Sequence, residues 1–172
     1  MKNPYEIEIP ALDAAVMKEA WARQDALAKP PRSLGVLEEI SVRFAGMTGK
    51  LYNDAKKRRI LIFAADNGVV EEGVTSAPQS VTLAQTINFT RGLTGVAVLA
   101  KHYNTELKVV DVGVNARFEQ PGVIDRKIAM GTRNLAKEPA MSREQALQAL
   151  NKRITPVMAE AISGCTPEAE LM

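Results

Sequence analysis

The chain has one cysteine, Cys165, in 172 residues, so an internal disulfide is excluded and a reducing compartment is implied. It also has a single histidine, His102. A catalytic zinc site needs about three nitrogen, sulfur or oxygen ligands, and neither residue has a ligand partner nearby in sequence. His102 follows Lys101 at the end of an apolar segment, where the negative end of a helix dipole is reason enough for a cation. Cys165 has no basic neighbour that would activate a nucleophile. Charge of one sign is not in excess either: 22 basic against 20 acidic side chains give a net +2, which argues against a nucleic-acid surface. The one basic cluster, Lys56-Lys57-Arg58-Arg59, reads as the solvated entrance to a strand. No segment approaches the roughly 20 apolar residues of a membrane helix, and the first residues, Met-Lys-Asn-Pro-Tyr-Glu, have no apolar signal core. These absences predict a soluble, cytoplasmic protein. No G-x-G-x-x-G or Walker pattern opens a helix, so no dinucleotide or triphosphate cradle is expected, and no cofactor or metal is predicted.

What is present is a chain that is 46% hydrophobic, enough to bury a core as one domain with an appendage. Leu12, Ala15, Val16, Ala20 and Leu27 recur at helical spacing over 12–28, with Asp13 at the start. Lys29-Pro30-Pro31 stops that helix, because proline lacks the amide hydrogen and disfavours helix before itself. Ser33 is placed to cap a second helix whose apolar face is Leu34, Leu37, Ile40, Phe44 and Met47, with Gly49 as its end. Arg59 to Ala65 is a nearly continuous apolar run, as in a parallel strand covered on both faces. A helix from Ser80 or Thr82 to about residue 90 follows, then a break at Arg91-Gly92-Leu93-Thr94-Gly95, then a short helix over 96–102. A second strand is predicted over 107–112. Two strands joined by helices make a βαβ unit. Beyond a turn-rich loop at Phe118–Val123, residues 125–132 are expected to supply a short edge strand. Ser142 and Gln145 have the spacing of a capping box, and Pro156 interrupts any continuation of that helix. The expected organisation is a helical subdomain over 1–57, an α/β half-domain over 58–150, and a divergent, fraying tail over 151–172.

In open α/β sheets, ligands sit just past the carboxyl ends of parallel strands. The first apolar run breaks there into Asp66-Asn67-Gly68, and Gly68 and Gly73 permit unusual backbone angles. Glu71 and Glu72 add carboxylates, Ser76-Ala77-Pro78 forms a rigid turn of small residues, and Gln85 lies about a turn inside the following helix. An apolar wall with a few amides and hydroxyls suits a planar heterocycle better than a highly charged ligand. The same residues also fit plain turn chemistry beside a solvated Glu-Glu pair. Both readings stand on the residues alone.

Four stretches carry a resemblance: Arg23-Gln24-Asp25 through Lys29-Pro30-Pro31-Arg32-Ser33-Leu34-Gly35-Val36-Leu37-Glu38; Ala65-Asp66-Asn67-Gly68-Val69 through Glu72-Gly73-Val74; Pro78 through Val81-Thr82 and Gln85; and Arg91-Gly92-Leu93-Thr94-Gly95-Val96. Val110 to Val114 and Gly131-Thr132-Arg133-Asn134 through Ser142 extend it. In this order they resemble the nicotinate-nucleotide-dimethylbenzimidazole phosphoribosyltransferase family, which makes α-ribazole phosphate for the lower ligand of cobalamin. The resemblance implies a Rossmann-like three-layer parallel sheet, here truncated, with a small N-terminal helical subdomain, usually as a homodimer. It implies a pentosyltransferase that moves phosphoribose from nicotinate mononucleotide to 5,6-dimethylbenzimidazole. Its base pocket is lined from the segment matching 76–85, so Ser76, Ala77, Pro78 and Gln85, with Asp66 and Asn67, are the implied substrate-binding residues. Ala77 stands where some members carry a serine that bonds the base. Two departures stand out: Asn67 where the family usually has histidine, and Arg32 where it usually has glycine.

The resemblance also implies chains roughly double this one. The family's phosphate-holding glycine segments and its general-base glutamate match no residue here, so the catalytic residue is unassigned; Glu71 or Glu72 could substitute in principle. Three expectations follow: a subunit of a split enzyme completed by a second chain, a non-catalytic or regulatory protein that binds a small heterocycle, or a shortened product of the full enzyme's gene. The expected partners are the small-molecule substrates and a second protein chain, as a homo-oligomer or a heteromer, with neither nucleic acid nor membrane.

Overall fold

The computed structural model describes residues 10–150 together with Val157 and Met158. The expected break at Pro156 and the tail that carries Cys165 lie outside them. The chain divides between Ala55 and Lys56 into two compact units.

The first unit is a pair of helices, α1 (Ala14–Ala26) and α2 (Val36–Thr48). Asp13 caps α1: its Oδ1 accepts from the amides of Ala15 at 2.9 Å and Val16 at 3.1 Å, satisfying donors that have no partner within the helix. Ala20, Val42 and Ala45 form the core, flanked by Val16, Met17, Trp21 and Leu51. Gly46 lets the helices come close: a methyl there would lie 2.6 Å from Met17 Cγ.

One expectation for α2, its cap, is corrected. Ser33 is not the cap; its amide closes a turn onto Pro30 O at 3.1 Å, and Gly35 precedes the helix without a side-chain cap. The apolar stripe Leu34, Leu37, Ile40, Phe44 and Met47 is not the face that meets α1. All five are exposed, Leu37 at 65%, and the buried positions are Glu38, Val42, Ala45 and Gly46. Small residues win that face because they allow the closer approach. Glu38 is admitted because its carboxylate is held by Lys29 Nζ at 2.7 Å and the Leu34 amide at 3.1 Å, meeting the requirement that a buried charge be paired and hydrogen-bonded. The Lys29 hydrogen bond draws the Glu38 carboxyl below its ordinary value.

Arg32 has φ of 61°, the left-handed region. Its guanidinium lies 3.7 Å above the Trp21 ring and reaches Asp25 at 3.5 Å. The long cation that replaces the expected glycine is therefore used, at the cost of backbone strain.

The second unit is α/β. Strands β1 (Arg59–Ala65), β2 (Glu106–Gly113) and β3 (Val123–Asp125) form one sheet in the order β1-β2-β3. All pairs are parallel, with Ile62 opposite Val109 and Asp111 opposite Asp125. Helices α3 (Ser80–Thr90) and α4 (Gly95–His102) make the β1-to-β2 crossover and pack on the sheet. Thr94 caps α4 through the Ala97 amide at 3.3 Å. The fold is thus the Rossmann-like parallel arrangement that the alternation of apolar strands and helices implied.

The central strand is β2, not β1: Val109 and Val110 are 2% and 0% exposed on opposite faces, whereas Ile60 to Phe63 on the outer strand are only half-buried. The edge strand lies a few residues earlier than expected. Val123 to Asp125 forms the ladder with β2; the Arg126 amide still donates to Asp111 O at 2.8 Å, and Asp125 Oδ1 then accepts the Lys127 amide at 2.9 Å and turns the chain out of the ladder. Helix α5 (Arg143–Gln148) opens with the expected capping box, Gln145 N to Ser142 Oγ at 3.1 Å and Ser142 N to Gln145 Oε1 at 2.9 Å. The basic cluster before β1 is exposed at Lys56 to Arg58, and Arg59 pairs with Glu106.

Candidate functional site

The carboxyl ends of β1 and β2 are joined by a compact knot around Asp66. Its amide donates to Gly113 O at 3.0 Å, and its carbonyl accepts the Thr132 amide at 3.0 Å. Its carboxylate Oδ2 accepts the Asn115 amide at 2.7 Å. Three loops, one after each strand, are thereby fixed by one residue that is 4% exposed. Gly68 packs against the third loop so closely that a methyl would meet Thr132 O at 2.6 Å; its amide donates to Thr132 Oγ1 at 3.2 Å. Gly131, at φ +74°, sits over Asp66 O. This is what strand-end glycines do here: they let backbone lie on backbone.

Asp66 separates two cavities. One, of about 300 Å³, is walled by Asn67, Val74, Thr75, Ala77, Pro78 and Gln79, with Val81 and Thr82 at the start of α3. Thr75 Oγ1 accepts the Ala77 amide at 3.2 Å, and Pro78 O and Gln79 O accept the amides of Val81 and Thr82, so the wall is a stiff turn running into a helix. The other, of about 420 Å³, lies between Val112, Met130, Gly131, Met141 and Ala149. A third and larger hollow, about 910 Å³, opens beside β3, where buried Asp111 accepts the amides of Gly113 and Val114 and meets Lys127 at 3.0 Å.

Of the six residues singled out from the sequence, Asp66, Asn67, Ala77 and Pro78 line the first cavity. Ser76 and Gln85 are exposed and line none of these hollows. Gln79 and Asn115 did not stand out in the sequence. Asn115 Nδ2 donates to Gln79 Oε1 at 3.0 Å, joining the loop after β2 to the cavity wall. Asn115 lies two residues past the end of β2, so the strand-end rule that marked Asp66 applies to it as well.

Glu71 and Glu72 have a structural task. Glu72 Oε1 accepts from Asn134 Nδ2 at 2.6 Å, and Lys137 Nζ lies 3.1 Å from Glu71 and 3.2 Å from Glu72. Hydrogen bonding from Lys137 draws Glu71 below the ordinary carboxyl value, and that from Asn134 does the same for Glu72. A general base works best with its pKa near the operating pH, and these carboxylates are shifted the other way.

The chain is similar to known proteins over most of its length. A family model described as a phosphoribosyltransferase matches residues 9–167. The chain is 51% identical over 150 residues to a nicotinate-nucleotide-dimethylbenzimidazole phosphoribosyltransferase of Clostridium perfringens, covering 87% of this chain and 42% of that protein. A relative of the same name from Geobacter metallireducens is 45% identical over 162 residues, with 94% and 44% covered. The crystal structure of CobT from Thermus thermophilus superposes with a TM-score of 0.80 at 39% identity, over 87% of this chain and 45% of that one. The chain therefore spans about two fifths of the length of the curated relatives it matches. It belongs to the phosphoribosyltransferase family that includes the nicotinate-nucleotide-dimethylbenzimidazole enzymes.

Proposed function

We propose that this chain is the base-binding part of a nicotinate-nucleotide-dimethylbenzimidazole phosphoribosyltransferase, with the cavity beside Asp66 as the seat of the flat base. The observation that carries this is the stiff apolar wall of Val74, Ala77 and Pro78, in a chain 51% identical to an enzyme of that name. Ser76 and Gln85 belong to the same segment, and we propose that they too contact the base. Phosphoribosyl transfer needs positioning and charge stabilisation around the phosphoribose. We infer that these come from the family's remaining length, on the same polypeptide or on a second one, and that the 172 residues alone do not release nicotinate.

The outer edge of β3 carries no strand among the described residues. An unpaired parallel edge invites pairing, so a second copy or a partner chain is expected to cover it, and light scattering of the purified chain reads this directly. Among the described residues no helix is long and apolar enough to cross a membrane, and a cytoplasmic location fits the proposed substrates.

Calorimetric titration with 5,6-dimethylbenzimidazole and, separately, nicotinate mononucleotide tests the reading. Base binding is expected, with nicotinate release only when a polypeptide carrying the rest of the family's length is added. Release by the pure chain would overturn the division of labour, and failure to bind the base would overturn the pocket. Base binding with no transfer under any combination would favour a non-catalytic, regulatory heterocycle-binding protein.

A further inference from the structure

We propose that the Asn115–Gln79 pair sets the hydrogen-bond polarity of the cavity beside Asp66, so that it selects a planar ring presenting an acceptor nitrogen over one presenting only an N–H. The inference rests on the ring-binding reading above and deepens it.

Gln79 lines the cavity, and its carbonyl oxygen accepts from Asn115 Nδ2 at 3.0 Å. A glutamine amide offers one oxygen acceptor and two N–H donors. With one lone pair of the oxygen engaged by Asn115, the NH₂ is the part of the amide that has no partner among the described residues, and it is a donor. Among the described residues no other hydrogen bond reaches the Gln79 side chain. Val74, Ala77, Pro78 and Val81 give the wall an apolar stretch, and its other polar residues are Asp66, Asn67, Thr75 and Thr82; of these, Asp66 is tied to the Asn115 amide and Thr75 to the Ala77 amide.

Asn115 is anchored independently of its side chain. Its backbone amide donates to the buried Asp66 carboxylate at 2.7 Å, so replacing the side chain leaves that anchor in place. Its role is positioning: it orients Gln79, and Gln79 meets the ring.

The pair makes a prediction that a merely structural contact does not. Asn115→Asp puts two acceptors where a donor stood. Gln79 must then turn its NH₂ toward residue 115 and its oxygen toward the cavity. The cavity would change from presenting a donor to presenting an acceptor.

Two rings of equal shape read the polarity: benzoxazole, whose nitrogen only accepts, and indole, whose N–H only donates. One neutral hydrogen bond changes affinity by about three- to tenfold. Calorimetry on the chain as it stands is expected to show benzoxazole bound about three- to tenfold tighter than indole. Asn115→Asp should reverse the order. Gln79→Leu, which removes both groups, should bring the two rings to within about twofold while both still bind. The Leu variant keeps the test decisive should the Asp variant fail to fold. Wild-type preference for indole, or an order unchanged in either variant, would overturn the polarity proposal and leave the ring pocket standing. Failure of the wild-type chain to bind either ring, or dimethylbenzimidazole, would overturn the pocket reading and this proposal with it.

Discussion

Gly68→Ala tests the packing that holds the site together. The added methyl would sit 2.6 Å from Thr132 O, 2.7 Å from Arg133 C and 2.8 Å from Asn134 N. All three are backbone atoms, so no side chain can swing aside. The backbone itself is tied by Thr132 N to Asp66 O at 3.0 Å and Arg133 N to Ala140 O at 2.8 Å. Restoring an ordinary contact of about 3.5 Å requires a shift of roughly 1 Å, enough to strain or break one of those bonds. Overpacking of this kind costs about 1–3 kcal/mol, and a lost hydrogen bond adds about 1 kcal/mol. The stiffer unfolded chain returns about 0.4–1 kcal/mol. The net is a loss of about 1–3.5 kcal/mol, which in a chain of this size lowers the melting temperature by about 2–14 °C. Thermal unfolding followed by circular dichroism measures it, with Gly95→Ala as control, since a methyl there meets nothing within 4 Å. A Gly68→Ala melting temperature within about 1 °C of wild type would refute the close approach of the two loops.

Arg32 inverts the usual ranking of alanine over glycine. Arg32→Ala keeps the φ of 61° and loses the contact over Trp21, whereas Arg32→Gly relieves the strain; the glycine variant should be the more stable of the two by about 1–2 kcal/mol in urea unfolding. Val110→Ala removes two methyl groups from a fully buried site and should cost about 2–3 kcal/mol by the same measurement. The clamp of Glu71 and Glu72 on Lys137 makes stability depend on pH at both ends. The carboxyls are lowered from 4.5, so their contribution is present above that value and lost as pH falls through their folded values. Lys137 is raised from 10.5, so its contribution is present below that value and lost as pH rises through its folded value. In urea unfolding, the difference between wild type and Lys137→Ala should be largest near neutral pH, shrink in acid below about 4.5, and shrink in high salt because the pair is exposed.

The sequence shows the strands and the local caps because those signals are local. Arg59 to Ala65 and the run around Val110 are apolar enough to be strands in any context, and Asp13 and Ser142 sit beside the amides they cap. The packing face of α2 is hidden because Glu38 looks like a surface residue until Lys29, nine positions earlier, neutralises it. The edge strand falls earlier than its own pattern suggests because its three residues are chosen by pairing with Val109 to Asp111. At the site, Asp66 is visible as the first polar residue after a strand. Gln79 and Asn115 are 36 positions apart, and only the fold brings them together. The resemblance names four residues of the base-binding segment; Ala77 and Pro78 line the cavity, and Ser76 and Gln85 are exposed outside its lining.

The most direct measurement is the crystal structure of the chain with 5,6-dimethylbenzimidazole at saturating concentration. The ring is expected between Val74, Ala77 and Pro78, beside Asp66, with Gln79 at its edge. Side chains of the protein closing that space, with the ring elsewhere or absent, would contradict it.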